Sequence, residues 1–68
     1  MKGKPIITSI EEKILLLLKG GLTNNGIAGV LEKSPDTIKY HLKKIYRKLN
    51  AKNRVEAINK FNKIMNVK

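Results

Sequence analysis

Residues 34–54 read SPDTIKYHLKKIYRKLNAKNR, and this stretch decides the fold of the chain. Apolar residues recur in it at steps of four, three and four, the spacing of one α-helical face: Ile38, Leu42, Ile45 and Leu49. Basic side chains cover the rest of the helix and continue past it: Lys39, Lys43, Lys44, Arg47, Lys48, Lys52 and Arg54. No acidic residue lies between Thr37 and Val55. A helix with one apolar stripe and an otherwise cationic surface predicts contact with a polyanion, and DNA is the leading candidate.

A first helix is predicted upstream of this stretch. Thr8 with Glu11, or Ser9 with Glu12, forms a capping-box pattern, so the helix begins at Thr8 or Ser9. Gly20 and the glycine after it end the helix, because glycine accepts the left-handed conformation that a helix end needs. Residues 1–6 are predicted to form a flexible arm, and residues 7–68 a single domain.

Two more helices flank the central one. The second is short, with Thr23 as its N-cap, and two internal glycines weaken it. Ser34 caps the third helix and Pro35 occupies its first turn, where a missing N–H is harmless. The third helix is predicted over residues 35–49 and a fourth over residues 54–65. Because no strand pattern is present, the fold class is all-α, with the second and third helices forming a helix-turn-helix.

The composition of the chain disfavours several classes of function. The 68 residues carry a net charge of +10, with only five acidic residues. A lysine-rich surface that merely keeps a small protein soluble is the alternative, which the clustering of charge disfavours. With no cysteine and a single histidine, His41, no metal or cofactor is expected. No catalytic set is apparent, so no enzyme is predicted, and the longest apolar run, residues 14–18, is too short to span a membrane.

Three motifs at a shared spacing point to a family. They are GLTN-x2-IA-x2-L over residues 21–31, S-x2-TIK-x-H-x3-IYRKL over residues 34–49, and NR-x-EA over residues 53–57. Together they resemble the LuxR-type (GerE/FixJ) helix-turn-helix domain across nearly the whole chain. The resemblance implies a winged-helix-like three-helix core without the wing, followed by a C-terminal dimerisation helix.

The same resemblance implies a cytoplasmic transcription regulator that binds double-stranded DNA as a two-fold homodimer. Its third helix would enter the major groove. Many members carry a receiver or ligand-sensing domain before this one, so the chain is either a stand-alone member or the output domain of a longer regulator. The initial methionine favours a stand-alone member. RNA polymerase is a further candidate partner.

Three positions depart from the family pattern. Gly26 stands where glutamate is usual, so a polar tie between the second and third helices is expected to be missing. Lys33 replaces an apolar residue, and its stem is expected to lie along the surface with the ammonium group in water. Lys13 replaces a common glutamate of the first helix. None of the three lies in the predicted recognition helix.

The resemblance and the helical face assign the DNA contacts. Base contacts are predicted for three residues turned away from the apolar stripe: Lys39, Tyr40 and Lys43. Phosphate contacts are predicted at helix starts and along the basic segment: Thr23, Ser34, Thr37, Lys44, Arg47, Lys48, Lys52 and Arg54. Capping alone would account for Thr23 and Ser34, and Arg54 could instead cap or brace the fourth helix. Packing or hydrogen bonding near the DNA is expected for His41, and a place flanking the core for Tyr46.

The fourth helix has a second side, distinct from that of Ala57, Phe61 and Ile64. It is predicted to form the dimer interface: Val55, Ile58, Asn59 and Asn62. One helix face makes a small interface, so a monomer in dilute solution that pairs on DNA is expected. A plain amphipathic surface helix is the alternative.

Two other functions compete with DNA recognition. A protein-interaction module of the same fold would bind an acidic partner and show no base preference. A basic amphipathic domain on an anionic membrane would need the apolar run at residues 14–18 to be free for lipid.

Overall fold

The computed structural model describes residues 6–65, which form four α-helices and no β-strand. The helices are α1 (Ser9–Lys19), α2 (Asn24–Leu31), α3 (Pro35–Leu49) and α4 (Arg54–Met65). The all-α prediction and the bounds predicted for α3 and α4 are confirmed. Of the flexible arm predicted at residues 1–6, residues 1–5 lie outside the described part of the chain, and Ile6 is exposed.

The ends of α1 follow from its sequence. The Thr8 hydroxyl accepts a hydrogen bond from the Glu11 N–H at 3.3 Å, and the Glu11 carboxylate accepts one from the Thr8 N–H at 3.0 Å. Of the two capping boxes that the sequence allows, this is the one formed, so Thr8 is the N-cap. At the other end Gly21 takes a left-handed φ of 98°, which suits a residue without a Cβ.

Both helices of the helix-turn-helix, α2 and α3, are capped at their N-termini by a side chain. The Thr23 hydroxyl accepts from the Gly26 N–H at 3.1 Å, and the Ser34 hydroxyl accepts from the Thr37 N–H at 3.2 Å. Helix α2 ends at Glu32, whose φ of 57° is left-handed. The chain therefore turns within three residues, and Pro35 opens α3 as predicted.

The core lies where all four helices meet. Within residues 6–65, eleven apolar residues are buried: Ile14, Leu15, Leu18, Ile27, Ala28, Ile38, Leu42, Ile45, Leu49, Ala57 and Phe61. The whole predicted stripe of α3 is among them, and Tyr46 packs at the edge of this cluster, as expected. A buried side chain of this kind stabilises a fold by about 1.5–3 kcal/mol, so the stripe is what fixes α3 against the other helices.

The apolar run at residues 14–18 is largely used by the core. Ile14, Leu15 and Leu18 are buried, and Leu17 is half-buried against them. Only Leu16 remains half exposed. The run is therefore not free for lipid, and within residues 6–65 no helix is long and apolar enough to cross a membrane.

Candidate nucleic-acid interface

The side of α3 opposite the core carries the three predicted base-contacting residues. Lys39, Tyr40 and Lys43 are exposed, and together with Asp36 they line a shallow hollow of about 240 Å³. Their spacing of three, four and seven residues from Asp36 puts all four on one helical face. The structure thus brings Lys39, Tyr40 and Lys43, the predicted base readers, together on one continuous surface. Their contacts with bases stay predictions.

A second hollow, of about 370 Å³, continues this surface toward the end of the helix and is lined by Tyr40, Lys43, Lys44 and Arg47. The Lys44 ammonium lies 5.5 Å from the centre of the Tyr40 ring, a cation–π distance. The ring of His41 meets Tyr40 edge to face, with centroids 5.8 Å apart. Tyr40 therefore has contacts on two sides although it is 60% exposed.

The hydroxyl groups predicted to contact phosphate already have partners in the domain. Thr23 and Ser34 are N-caps, and the Thr37 hydroxyl lies 2.9 Å from that of Ser34. All three belong to the starts of α2 and α3, where N–H groups and the positive end of the helix dipole favour an anion. Thr23 and Ser34 are exposed there, and Thr37 is half-buried. Capping accounts for their present contacts, and phosphate binding by these residues stays a prediction.

Lys48, another predicted phosphate contact, forms an ion pair. Its ammonium lies 2.7 Å from the Glu11 carboxylate and donates to the Ile6 carbonyl at 3.0 Å. Glu11 is almost fully buried, whereas the sequence pattern indicates only a helix-capping role for it. Burial raises the pKa of Glu11, but hydrogen bonds from Lys48 and Thr8 and the charge of Lys48 outweigh it, so the net shift is downward. The pair ties the start of α1 to the end of α3.

This ion pair makes stability depend on pH. Since the Glu11 pKa is lowered in the folded state, its contribution is present above the ordinary carboxyl pKa and is lost as pH falls through the folded value. We expect Lys48→Met to lower the free energy of unfolding at neutral pH by about 1–3 kcal/mol, because a buried carboxylate loses its cation. The deficit should shrink as Glu11 becomes protonated. Urea denaturation of the two proteins at pH 7 and near pH 4 measures the stability difference and its change with pH. A difference that does not change with pH would contradict this role of Glu11.

Arg54 has a bracing role, and its acceptors are ones that the sequence did not reveal. Its guanidinium donates to the carbonyls of Leu18 at 3.1 Å and Leu22 at 2.9 Å. These carbonyls belong to the end of α1 and the turn after it. The sequence alternative had Arg54 bracing α4, whereas the side chain extends from the start of α4 and satisfies acceptors at the end of α1.

Arg54→Lys tests this bracing role, because lysine keeps the charge but is shorter and lacks the guanidinium nitrogen Nη2, which donates to both carbonyls. We expect the free energy of unfolding to fall by about 1–2 kcal/mol. The salt dependence of DNA binding should not change. A urea midpoint equal to that of the unmodified domain would show that the two hydrogen bonds contribute little to stability.

The link between α3 and α4 contains contacts that sequence reasoning missed. The Asn53 side chain accepts from the Glu56 N–H, and the Glu56 carboxylate accepts from the Lys52 N–H, each at 2.9 Å. The Lys60 ammonium donates to the Asn50 carbonyl at 2.8 Å, at the end of α3. An asparagine followed three residues later by glutamate is a capping signature, so this part could have been found from the sequence. The Lys52 side chain is exposed, and its phosphate contact stays a prediction.

The predicted dimer residues of α4 do not form a uniform surface. Val55 is 66% exposed, and Asn59 is exposed as well. Ile58 and Asn62 are half-buried, and Ile58 packs against the domain's own core. The buried side-chain oxygen of Asn62 has no hydrogen-bond partner among residues 6–65. Val55 and Asn59 are therefore the more accessible part of this face.

The described part of the domain has four short helices, and α2 and α3 form a helix-turn-helix. The face of α3 that points away from the core is cationic. These features are those of a DNA-binding domain. Residues 5–61 match the family described as "Bacterial regulatory proteins, luxR family". The chain belongs to this family of regulators, so the predicted resemblance is confirmed.

Several curated relatives match over the same region. The nitrate/nitrite response regulator protein NarP of Escherichia coli is 42% identical over 52 residues, which are 76% of this chain and 24% of NarP. The HTH-type transcriptional regulator AlkS of Alcanivorax borkumensis is also 42% identical over 52 residues, covering 76% of this chain but 6% of AlkS. The HTH-type transcriptional regulator MalT of Yersinia enterocolitica is 34% identical over 59 residues, covering 87% of this chain and 6% of MalT. The chain thus spans a quarter or less of these relatives.

Proposed function

We propose that this domain is a sequence-specific transcription regulator that binds double-stranded DNA, with α3 in the major groove. The observation that carries the proposal is the face of α3 opposite the core, where Lys39, Tyr40 and Lys43 line one hollow. Lysine donates to guanine O6 and N7, and the tyrosine ring can meet a thymine methyl. Because the protein would act on DNA, we place it in the cytoplasm.

Charge on the same face supports the proposal. Lys44 and Arg47 are exposed beside the predicted base readers, and Lys52 follows them in the loop. Lys48 and Arg54 are bonded within the domain, so we assign them a smaller share of the phosphate contacts. If roughly 6 to 8 phosphates are neutralised, log K should fall against log salt with a slope of about −0.9 per contact.

We further propose that two copies pair on DNA through α4. Val55 is the most exposed apolar residue of this helix, and Asn59 lies one turn further along the same side. The unpartnered Asn62 oxygen supports this face, because a second copy could supply a donor. One helix face is a small interface, so the pairing should depend on DNA. Half-sites about one helical turn apart would follow from two-fold symmetry.

The test is an amide NMR titration with two duplexes, one selected from a random pool and one scrambled, each at two salt concentrations. Shifts centred on residues 39–48, with at least roughly tenfold tighter binding of the selected duplex, support the proposal. Equal affinity for the two duplexes would leave a non-specific DNA-binding domain. An absence of shifts in α3 at moderate salt would refute DNA binding. A Val55→Asp variant that binds with unchanged stoichiometry and affinity would refute the α4 dimer.

A protein-interaction module is the second candidate, and one observation favours it. Leu16 is 50% exposed and Val30 is 58% exposed, and both line a groove of about 260 Å³ between α1 and α2. The remaining lining residues are Leu17, Leu31 and Lys13, so the groove is apolar with one cationic side chain. Such a groove would suit an acidic partner with apolar side chains, such as a segment of RNA polymerase. Binding of such a partner without any base preference would favour this candidate.

A further inference from the structure

Asp36 is a carboxylate on the face of α3 that we assign to DNA. It is the one acidic residue of this helix, it is exposed, and it lines the same hollow as Lys39, Tyr40 and Lys43. The sequence pattern assigns no function to Asp36. A negative charge at this place is unexpected on a surface that must approach a polyanion.

The direction in which Asp36 projects from the axis of α3 follows from helix geometry. Successive residues of an α-helix are ~100° apart, so Asp36, Lys43 and Arg47 lie within roughly 40° of one another. Their common direction is roughly 150° from the middle of the buried stripe of α3. If Lys43 faces the floor of the groove, Asp36 faces it too, from the first turn of the same helix.

Contacts within the domain do not account for this position. Between Ile6 and Met65 the one ion pair joins Glu11 to Lys48, and Asp36 has no part in it. Ser34 already caps the helix. An acidic residue in the first turn favours the helix dipole, but that effect does not require a residue on this face. Near phosphate oxygens the carboxylate would be repelled, whereas base edges in the major groove present N–H donors.

We propose that Asp36 is a specificity-determining residue that accepts a hydrogen bond from the exocyclic amine of a base, with cytosine N4 preferred. Carboxylates pair with this amine in the major groove, where guanine and thymine offer only acceptors on their corresponding edges. Asp36 and the lysines then read complementary features, since lysine donates to guanine and the carboxylate accepts from cytosine. The inference rests on the proposed function and deepens it.

The experiment compares base preference in three variants. Asp36→Ala and Asp36→Asn remove the carboxylate charge. Glu12→Gln is the matched control, because Glu12 is likewise an acidic residue in the first turn of a helix, but in α1. Each protein selects from a random duplex pool, and Kd is then measured on duplexes that differ at single base pairs. Circular dichroism checks that every variant is folded.

We expect the unmodified domain and Glu12→Gln to prefer cytosine at one position by roughly tenfold. Asp36→Ala should lose this preference, because duplexes without cytosine at that position should gain affinity relative to the cytosine duplex. A duplex with 2-pyrimidinone at that position, which is cytosine without its amine, should weaken binding by the unmodified domain and leave Asp36→Ala unaffected.

Two results would overturn the inference. If Asp36→Ala, Asp36→Asn and Glu12→Gln all raise affinity equally and leave every preference unchanged, Asp36 acts through charge alone, and the proposed regulator remains. If the unmodified domain prefers no duplex at all, the proposed function fails together with the inference.

Discussion

Replacing both Lys39 and Lys43 with alanine is expected to weaken binding to the selected duplex by roughly 100-fold or more. Each side chain that reads a base well is worth about 1–3 kcal/mol of discrimination, and every 1.4 kcal/mol is a tenfold change. Both residues are exposed, so the fold should be unaffected. Fluorescence anisotropy with the selected and scrambled duplexes at one fixed salt concentration measures the change. The scrambled duplex should lose less affinity than the selected one.

The control for this prediction removes the same charge elsewhere. Lys13 and Lys19 are exposed on α1, and Lys13 lines the groove between α1 and α2. Their double replacement with alanine should weaken binding to both duplexes alike, by less than about tenfold, through long-range electrostatics only. If the two double variants behaved identically, net charge would explain the binding, and α3 would have no special role.

Phe61→Ala is expected to unfold a large fraction of the protein at room temperature. Phe61 is 1% exposed, and deletion of a buried phenylalanine side chain costs about 3–5 kcal/mol. At about 0.05–0.15 kcal/mol per residue, a domain of this size has a total stability of roughly 3–10 kcal/mol. The loss is therefore about half of this stability at the upper end of the range and all of it at the lower end. Urea denaturation followed by circular dichroism at 222 nm, the helix band, measures it.

Lys63→Ala is the control on the same helix. Lys63 is exposed, so its replacement should change the free energy of unfolding by no more than about 0.5 kcal/mol. If Phe61→Ala unfolded no more readily than Lys63→Ala, α4 would not be an integral part of the core. The four-helix fold would then reduce to three helices with an appended fourth.

The helices could be predicted from the sequence because their signals are local. Ser34 and Pro35 mark the start of α3 within two residues, and the apolar stripe ends with the helix at Leu49. The capping box from Thr8 to Glu11 spans only four residues. The stripe also fixed which side of α3 is buried, and therefore which side carries Lys39 and Lys43.

What could not be predicted depends on residues far apart in the chain. Lys48 and Glu11 are 37 positions apart, and Arg54 is 36 positions from Leu18. The basic segment made both cations look available to phosphate, because sequence alone does not show which of several similar lysines meets a buried carboxylate. Ile58 is a related case, since helical periodicity placed it on the outer side of α4, whereas the side chain is half-buried against the domain's core. The individual DNA contacts stay predictions.

The left-handed turn at Glu32 bears on how the domain opens. A residue with a Cβ in this conformation costs about 1–2 kcal/mol, which the packing of the flanking helices must offset. Helix α2 offsets little of this conformational cost through its own packing, because it contains two glycines and its fully buried side chains are Ile27 and Ala28. Local unfolding should therefore begin at α2 and this turn, with their amide hydrogens exchanging sooner than those in the middle of α3. A ligand that holds the starts of α2 and α3 would slow this exchange, so the turn would report binding without touching a base.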